Sequence, residues 1–176
     1  MASISRNPTE PLTSVKNTAT SFVSSLLQGD QVGVVSFANE ASNPVDHVLS
    51  PVVASVNSAI ERISIATTTA QNTNIGDGLI AATKELQSSR AKEGSKKVII
   101  LLTDGDPTDP KKVGQSNYPT LFAEQYATEA KEKNISVFTI GLGSLVNGDL
   151  LSRLASTPSQ YFAAPTSADL ASIYQK

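Results

Sequence analysis

Two unbroken apolar runs, "KKVIILLT" at 96–103 and "ISVFTIGLG" at 135–143, constrain this chain more than any other feature. A strand that is apolar at successive positions has both faces covered, as in a parallel sheet flanked by helices, whereas a half-exposed strand alternates. Between the two runs lies "YPTLFAEQYATEAKEKN", an amphipathic segment long enough to serve as the helical crossover that parallel strands require. The pair with its connection therefore predicts a strand, helix, strand unit with both strands fully buried.

The rest of the chain extends the alternation. In "LTSVKNTATSFVSSLL", Leu12, Val15, Ala19, Phe22, Val23, Leu26 and Leu27 recur at three- and four-residue steps, which predicts a helix over 12–27 ended by Gly29. "DQVGVVSFA" reads as a mostly buried strand. "DHVLS", bracketed by Pro44 and Pro51, reads as its shorter edge neighbour. Helical spacing returns at 52–63, and again from Ile75 after the polar loop "SIATTTAQNTN". "GDLLSRLAS" predicts a short helix, "QYFAAP" a last strand and "SADLASIYQK" a closing helix. The expected fold class is α/β, a mainly parallel sheet with helices on both faces, in a single domain over 1–176 whose residues 1–11 form a polar loop.

Composition excludes several functions. A net charge of −2 and a pI near 5.4 give no long-range attraction for nucleic acid. Without cysteine there is no thiolate zinc site or disulfide. No stretch is apolar enough for a membrane span, and "MASISRNPTEP" lacks the apolar core of a signal peptide, so a soluble chain without an export signal is expected. His47, the sole histidine, has no catalytic company and reads as structural. The basic stretch "RAKEGSKK" reads as a solvated helix end and turn.

Chemistry is expected where ligands bind in open α/β sheets, beyond the carboxyl ends of the strands. There "VIILLTDGDPTD" ends in Asp104, Asp106 and Asp109. A carboxylate at a strand end faces water, caps a backbone or meets a cation, because burying it unpaired is costly. Asp-Gly followed by Pro is also good turn chemistry, and a turn role is the alternative for all three. The loop before the third helix supplies hydroxyls. Hard divalent cations take oxygen ligands, Mg²⁺ with few carboxylates and several waters, so Thr73 and Asp104 suit such a site. The alternative for Thr73 is an N-cap-like role; Asp77 is assigned to the dipole of the third helix.

"NTNIGDGLIAA" and "VIILLTDGDPTD", with the order of elements from Leu12 to Lys176, resemble von Willebrand factor type A domains. The resemblance implies a Rossmann-like three-layer sandwich that binds Mg²⁺ or Mn²⁺ at its upper edge in a metal-ion-dependent adhesion site. That site is built from an Asp-x-Ser-x-Ser motif after the first strand, a Thr matched by Thr73 and an Asp matched by Asp104. This chain contains no Asp-x-Ser-x-Ser and no buried strand before Leu12. Met1 sits about where the family's motif continues toward its first helix, so the domain is expected to lack its first strand and the richest part of its metal site.

In the family that strand is central, between "VGVVSF" and "VIILLT". Its loss implies two unpaired strand edges, which either meet directly or accept a strand from a partner. The expected function is adhesion or complex assembly, without enzymatic activity, through a protein ligand whose acidic side chain reaches the metal edge. Metal binding by the remaining residues is expected to be weak or absent. Resemblance to bacterial surface members implies secretion or surface display. The competing reading is a haloacid-dehalogenase-type phosphohydrolase with Asp104 as nucleophile and Asp106 as acid/base. Against it, the segment after 135 offers only Asp149 and no lysine.

Overall fold

The strands predicted from the two apolar runs pair side by side in the computed structural model, which describes residues 10–65, 72–143 and 146–164, together with 169, 172 and 173. β3 (Lys97–Thr103) lies parallel to β4 (Ile135–Leu142) in continuous register from Lys97 opposite Ile135 to Thr103 opposite Gly141. β5 (Tyr161–Ala164) extends the sheet beyond β4, again parallel. β1 (Val32–Val34) and β2 (His47–Ser50) form a separate antiparallel pair. Among the described residues, no hydrogen-bonded ladder joins β1 to β3, so the sheet is in two pieces.

Helices cover both faces. On one side α3 (Ile75–Leu86), α4 (Tyr118–Glu132) and α5 (Gly148–Leu154) close over Ile99 and Leu101 of β3 and Ile135 and Val137 of β4. The alternate residues of the same strands, Leu102 and Ile140, face Val15 of α1 (Glu10–Ser25). Beside this, Val23 of α1 packs on Val56 and Ile60 of α2 (Val53–Arg62) and on Val32 and Val34 of β1. Small residues let the elements approach closely at the start of α3. A Cβ on Gly76 would collide with the Phe122 ring, and one on Gly78 would stand 2.9 Å from Cδ1 of Phe37.

Several expectations are corrected. β3 is not covered on both faces: Val98 is 42% and Ile100 38% exposed, because the α1 side of its first half meets an open cavity. The strand expected over "DQVGVVSFA" is only three residues long, since among the described residues it pairs with β2 alone and irregular register interrupts the ladder. α1 stops at Ser25, short of Leu27, which is 78% exposed in the turn that follows. There the Leu27 N–H donates to Asp30, and Gly29 takes φ +95°. α1 also begins at Glu10, inside the segment expected to be a loop. The expectations for residues 1–9, including the placement of Met1, lie outside the described residues, as does most of the closing helix, of which Asp169, Ser172 and Ile173 are helical.

With no ladder between the two sheet pieces, α3 and its flanking turns hold them together. Glu85 accepts the N–H of Leu49 in β2 at 2.8 Å while receiving both arms of the Arg90 guanidinium at 2.8 and 2.7 Å. Arg90, from the basic stretch, thus has a structural partner. Gln31 reaches across by donating to the Arg90 carbonyl and accepting from the Lys92 N–H. His47 stays structural, its Nε2 3.0 Å from the Ser55 hydroxyl. No helix among the described residues is long and apolar enough to cross a membrane.

Candidate functional site

β3 ends at Thr103, whose buried hydroxyl donates to the Gly105 carbonyl and accepts the Gly105 N–H, turning the chain sharply just past the strand. That turn leaves the Asp104 side chain exposed at the carboxyl end of the sheet, with Asp106 exposed two residues on. The 104–110 segment then doubles back onto the loop before α3. Thr108 donates its N–H to the Thr73 carbonyl at 2.9 Å, and the Thr73 N–H donates to the Thr108 hydroxyl at 2.8 Å. Asp109 accepts from the Asn72 side-chain amide at 2.7 Å. Thr73 and Asp104 both line the upper end of the cavity between β1 and β3.

A third loop, after β1, is tied to the same point. Asn74 donates its backbone N–H to the Ala38 carbonyl at 2.8 Å and its side-chain amide to the Asn39 carbonyl at 2.9 Å. Asn39 accepts the N–H of Asn72. Asn74 is also the N-cap of α3, taking the Asp77 N–H on its side-chain oxygen at 3.1 Å. Asp77 in turn accepts the N–H of Ala41 at 2.6 Å. The N-cap role considered for Thr73 therefore belongs to Asn74, and Asp77 acts as a loop anchor besides standing in the first turn of the helix. Buried or half-buried amides satisfied on several sides fix the loops, because breaking any one leaves a polar group unpaired.

Thr73 and Asp104 thus stand on two loops that are joined through Thr108, and a third loop, that of Asn39, is bound to the first of them. The amide lattice of Asn39, Asn72 and Asn74 was missed by sequence reasoning. Its available signal was Asn74 three residues before Asp77, an N-cap pattern within "QNTN". As a metal centre the arrangement is sparse. Thr73 and Asp104 offer two oxygen ligands, which fit only part of the near-octahedral shell of Mg²⁺. The described residues contain no group of three or more His, Asp or Glu side chains that could hold a metal ion. For phosphoryl chemistry, Asp149 lies exposed in the first turn of α5.

Known proteins share this architecture. The chain is similar to human inter-alpha-trypsin inhibitor heavy chain H4, with 33% identity over 130 residues that make up 72% of this chain and 13% of that protein. It therefore spans only a small part of the curated relatives it matches. Its fold is that of proximal thread matrix protein 1 from the mussel byssus, with a TM-score of 0.77 and 25% identity over 99% of this chain and 42% of that one. A form of the same mussel protein with a zinc-occupied MIDAS motif superposes with a TM-score of 0.78 and 18% identity, covering 94% of this chain and 41% of that one. The model of the von Willebrand factor type A domain matches residues 3–176, nearly the whole sequence, and the chain belongs to that family.

Proposed function

We propose that this chain is an adhesion or complex-assembly module that engages a protein ligand at the upper edge of its sheet, around Asp104 and Thr73, and performs no bond chemistry there. Domains of this family are generally protein-interaction modules. The observation that carries the reading is the exposed Asp104 at the carboxyl end of β3, on a loop tied to Thr73 through Thr108 and to the loop after β1 through Asn39, Asn72 and Asn74. A divalent ion held there by few protein oxygens keeps net positive charge and open positions, so an acidic side chain of the ligand completes its shell. With two protein donors, Mg²⁺ or Mn²⁺ binds weakly in the absence of that ligand. A rigid, exposed edge suits recognition, since little ordering is needed on binding.

Calorimetric titration of the chain with Mn²⁺, alone and in acetate as a surrogate for the ligand's carboxylate, tests this. Weak binding that acetate strengthens, and that is lost in Asp104→Ala, is the expected result. Binding unchanged in Asp104→Ala removes Asp104 from the site and overturns the reading. Tight binding without acetate, abolished by Asp104→Ala, overturns the proposed weakness of the donor set.

A further inference from the structure

Two exposed apolar features stand apart from the site at Asp104. The first is the apex of the turn between β3 and α4. Val113 is 102% exposed there, in a turn closed by the Gln115 N–H donating to the Lys112 carbonyl at 3.0 Å, with Gly114 at φ +76°. Positive φ at the third residue of such a turn calls for glycine. The base of the turn is held as well. The Tyr118 N–H donates to the Gln115 carbonyl, and Lys112 Nζ stands 5.0 Å from the centre of the Tyr118 ring. Val113 is therefore a fixed apolar knob with little conformational freedom left to lose on binding. The second feature is a cavity of about 470 Å³ between the C-terminal end of α1 and the start of α2, walled by Val23, Leu26, Val53 and Val56. Leu27, 78% exposed, also lines it, as does Asp30, which accepts the Leu27 N–H.

α3 shows that knob and cavity lie at opposite ends of the domain. Near its C-terminal end Glu85 accepts the Leu49 N–H, and a Cβ on Gly33 would stand 3.6 Å from Glu85 Cγ. Ser50 and Val32, the chain neighbours of those two residues, line the cavity. At the N-terminal end of α3, Thr73 is bound to Thr108, on the segment that leads to the knob. The 12 residues of α3 set the two ends roughly 18 Å apart.

We propose that the chain associates with itself head to tail, the Val113 knob of one copy seated in the cavity between α1 and α2 of the next. A bare valine and an open apolar cavity both gain by leaving water, and each supplies the surface that covers the other. The charges agree. Lys111, beside the knob, and Asp30, at the cavity, are exposed and in no ion pair among the described residues. Lys112 is turned onto Tyr118, which leaves Lys111 to meet Asp30. Because knob and cavity lie at opposite ends, the contact is heterologous: it does not close as a two-fold dimer does, and it continues from copy to copy. One turn in one cavity is a small interface of the weak, transient class, with association on the order of 0.1–1 mM. The contact goes beyond ligand binding at Asp104 and needs no metal, so its test is run in EDTA, where failure is separate from failure at Asp104.

Sedimentation equilibrium of the chain up to about 2 mM is the measurement. Expected is a weight-average mass that rises from the 18.4 kDa monomer and does not level off at twice that value. Val113→Asp and Leu27→Asp, both at exposed positions and checked for native circular dichroism, should each stay monomeric alone. Mixed, they should form a one-to-one dimer, because the first keeps its cavity and the second its knob. A native chain that stays monomeric throughout leaves knob and cavity to other partners and overturns the proposal. Association that survives in either variant alone, a plateau at the dimer mass, or a mixture that stays monomeric overturns it too. Equal association of Lys111→Glu and the native chain overturns the pairing of Lys111 with Asp30.

Discussion

Replacing Glu85 by alanine removes the side chain that ties β2 to α3, in a sheet whose two pieces share no ladder among the described residues. Glu85 is itself buried, and its carboxylate accepts the N–H of Leu49, a residue only 9% exposed. A hydrogen bond to a charged acceptor contributes about 1.5–3 kcal/mol, and the N–H that loses it belongs to a buried residue. The Arg90 fork adds little, because that side chain is 48% exposed and screened by solvent. The expected loss is therefore about 2–3 kcal/mol, which in a domain of this size lowers Tm by about 5–10 °C. Glu85→Gln keeps an oxygen for Leu49 and should lose about 1 kcal/mol.

The pH dependence follows from the same contacts. The Arg90 hydrogen bond holds the Glu85 carboxyl below its ordinary value, helped by the Leu49 N–H and the Arg90 charge and opposed by burial. A depressed carboxylate stabilises the fold fully above its unfolded value and loses that contribution as pH falls through the folded one. The advantage of the native chain over Glu85→Gln is thus complete at neutral pH and shrinks below about pH 4.5. Urea and thermal unfolding followed by far-ultraviolet circular dichroism measure both effects. Equal losses for the alanine and glutamine variants, or a native-over-glutamine advantage independent of pH, would refute the argument.

Other perturbations probe the packing and the chemistry. Gly76→Ala drives a methyl group into the Phe122 ring and should cost about 1–3 kcal/mol by overpacking, despite alanine's better helix propensity, with partial recovery in Gly76→Ala/Phe122→Leu by urea unfolding. Leu79→Ala, in the core shared by α3, β3 and α4, should cost about 2–5 kcal/mol in the same assay. With Mg²⁺ and p-nitrophenyl phosphate the chain should show no turnover; turnover abolished by Asp104→Asn would instead support the phosphohydrolase reading.

Local pattern alone determined much of this protein. The apolar runs of β3 and β4 are parallel neighbours, and the helical periodicities at 52–63 and from Ile75 give α2 and α3 within a residue or two. Such features are legible because strand and helix periods are written in consecutive residues. Asp104 could be placed at a strand end for the same reason. The tertiary structure decided what depends on partners far along the chain. Asn74 caps α3 while holding the loop of Asn39, Thr73 and Thr108 bind each other's backbone across 35 positions, and Glu85 reaches Leu49 across 36. The open flank of β3 belongs to this second group. "VIILL" has the composition of a strand covered on both faces, but cover comes from neighbouring elements, and beside Val98 and Ile100 the neighbouring position in the sheet holds a groove.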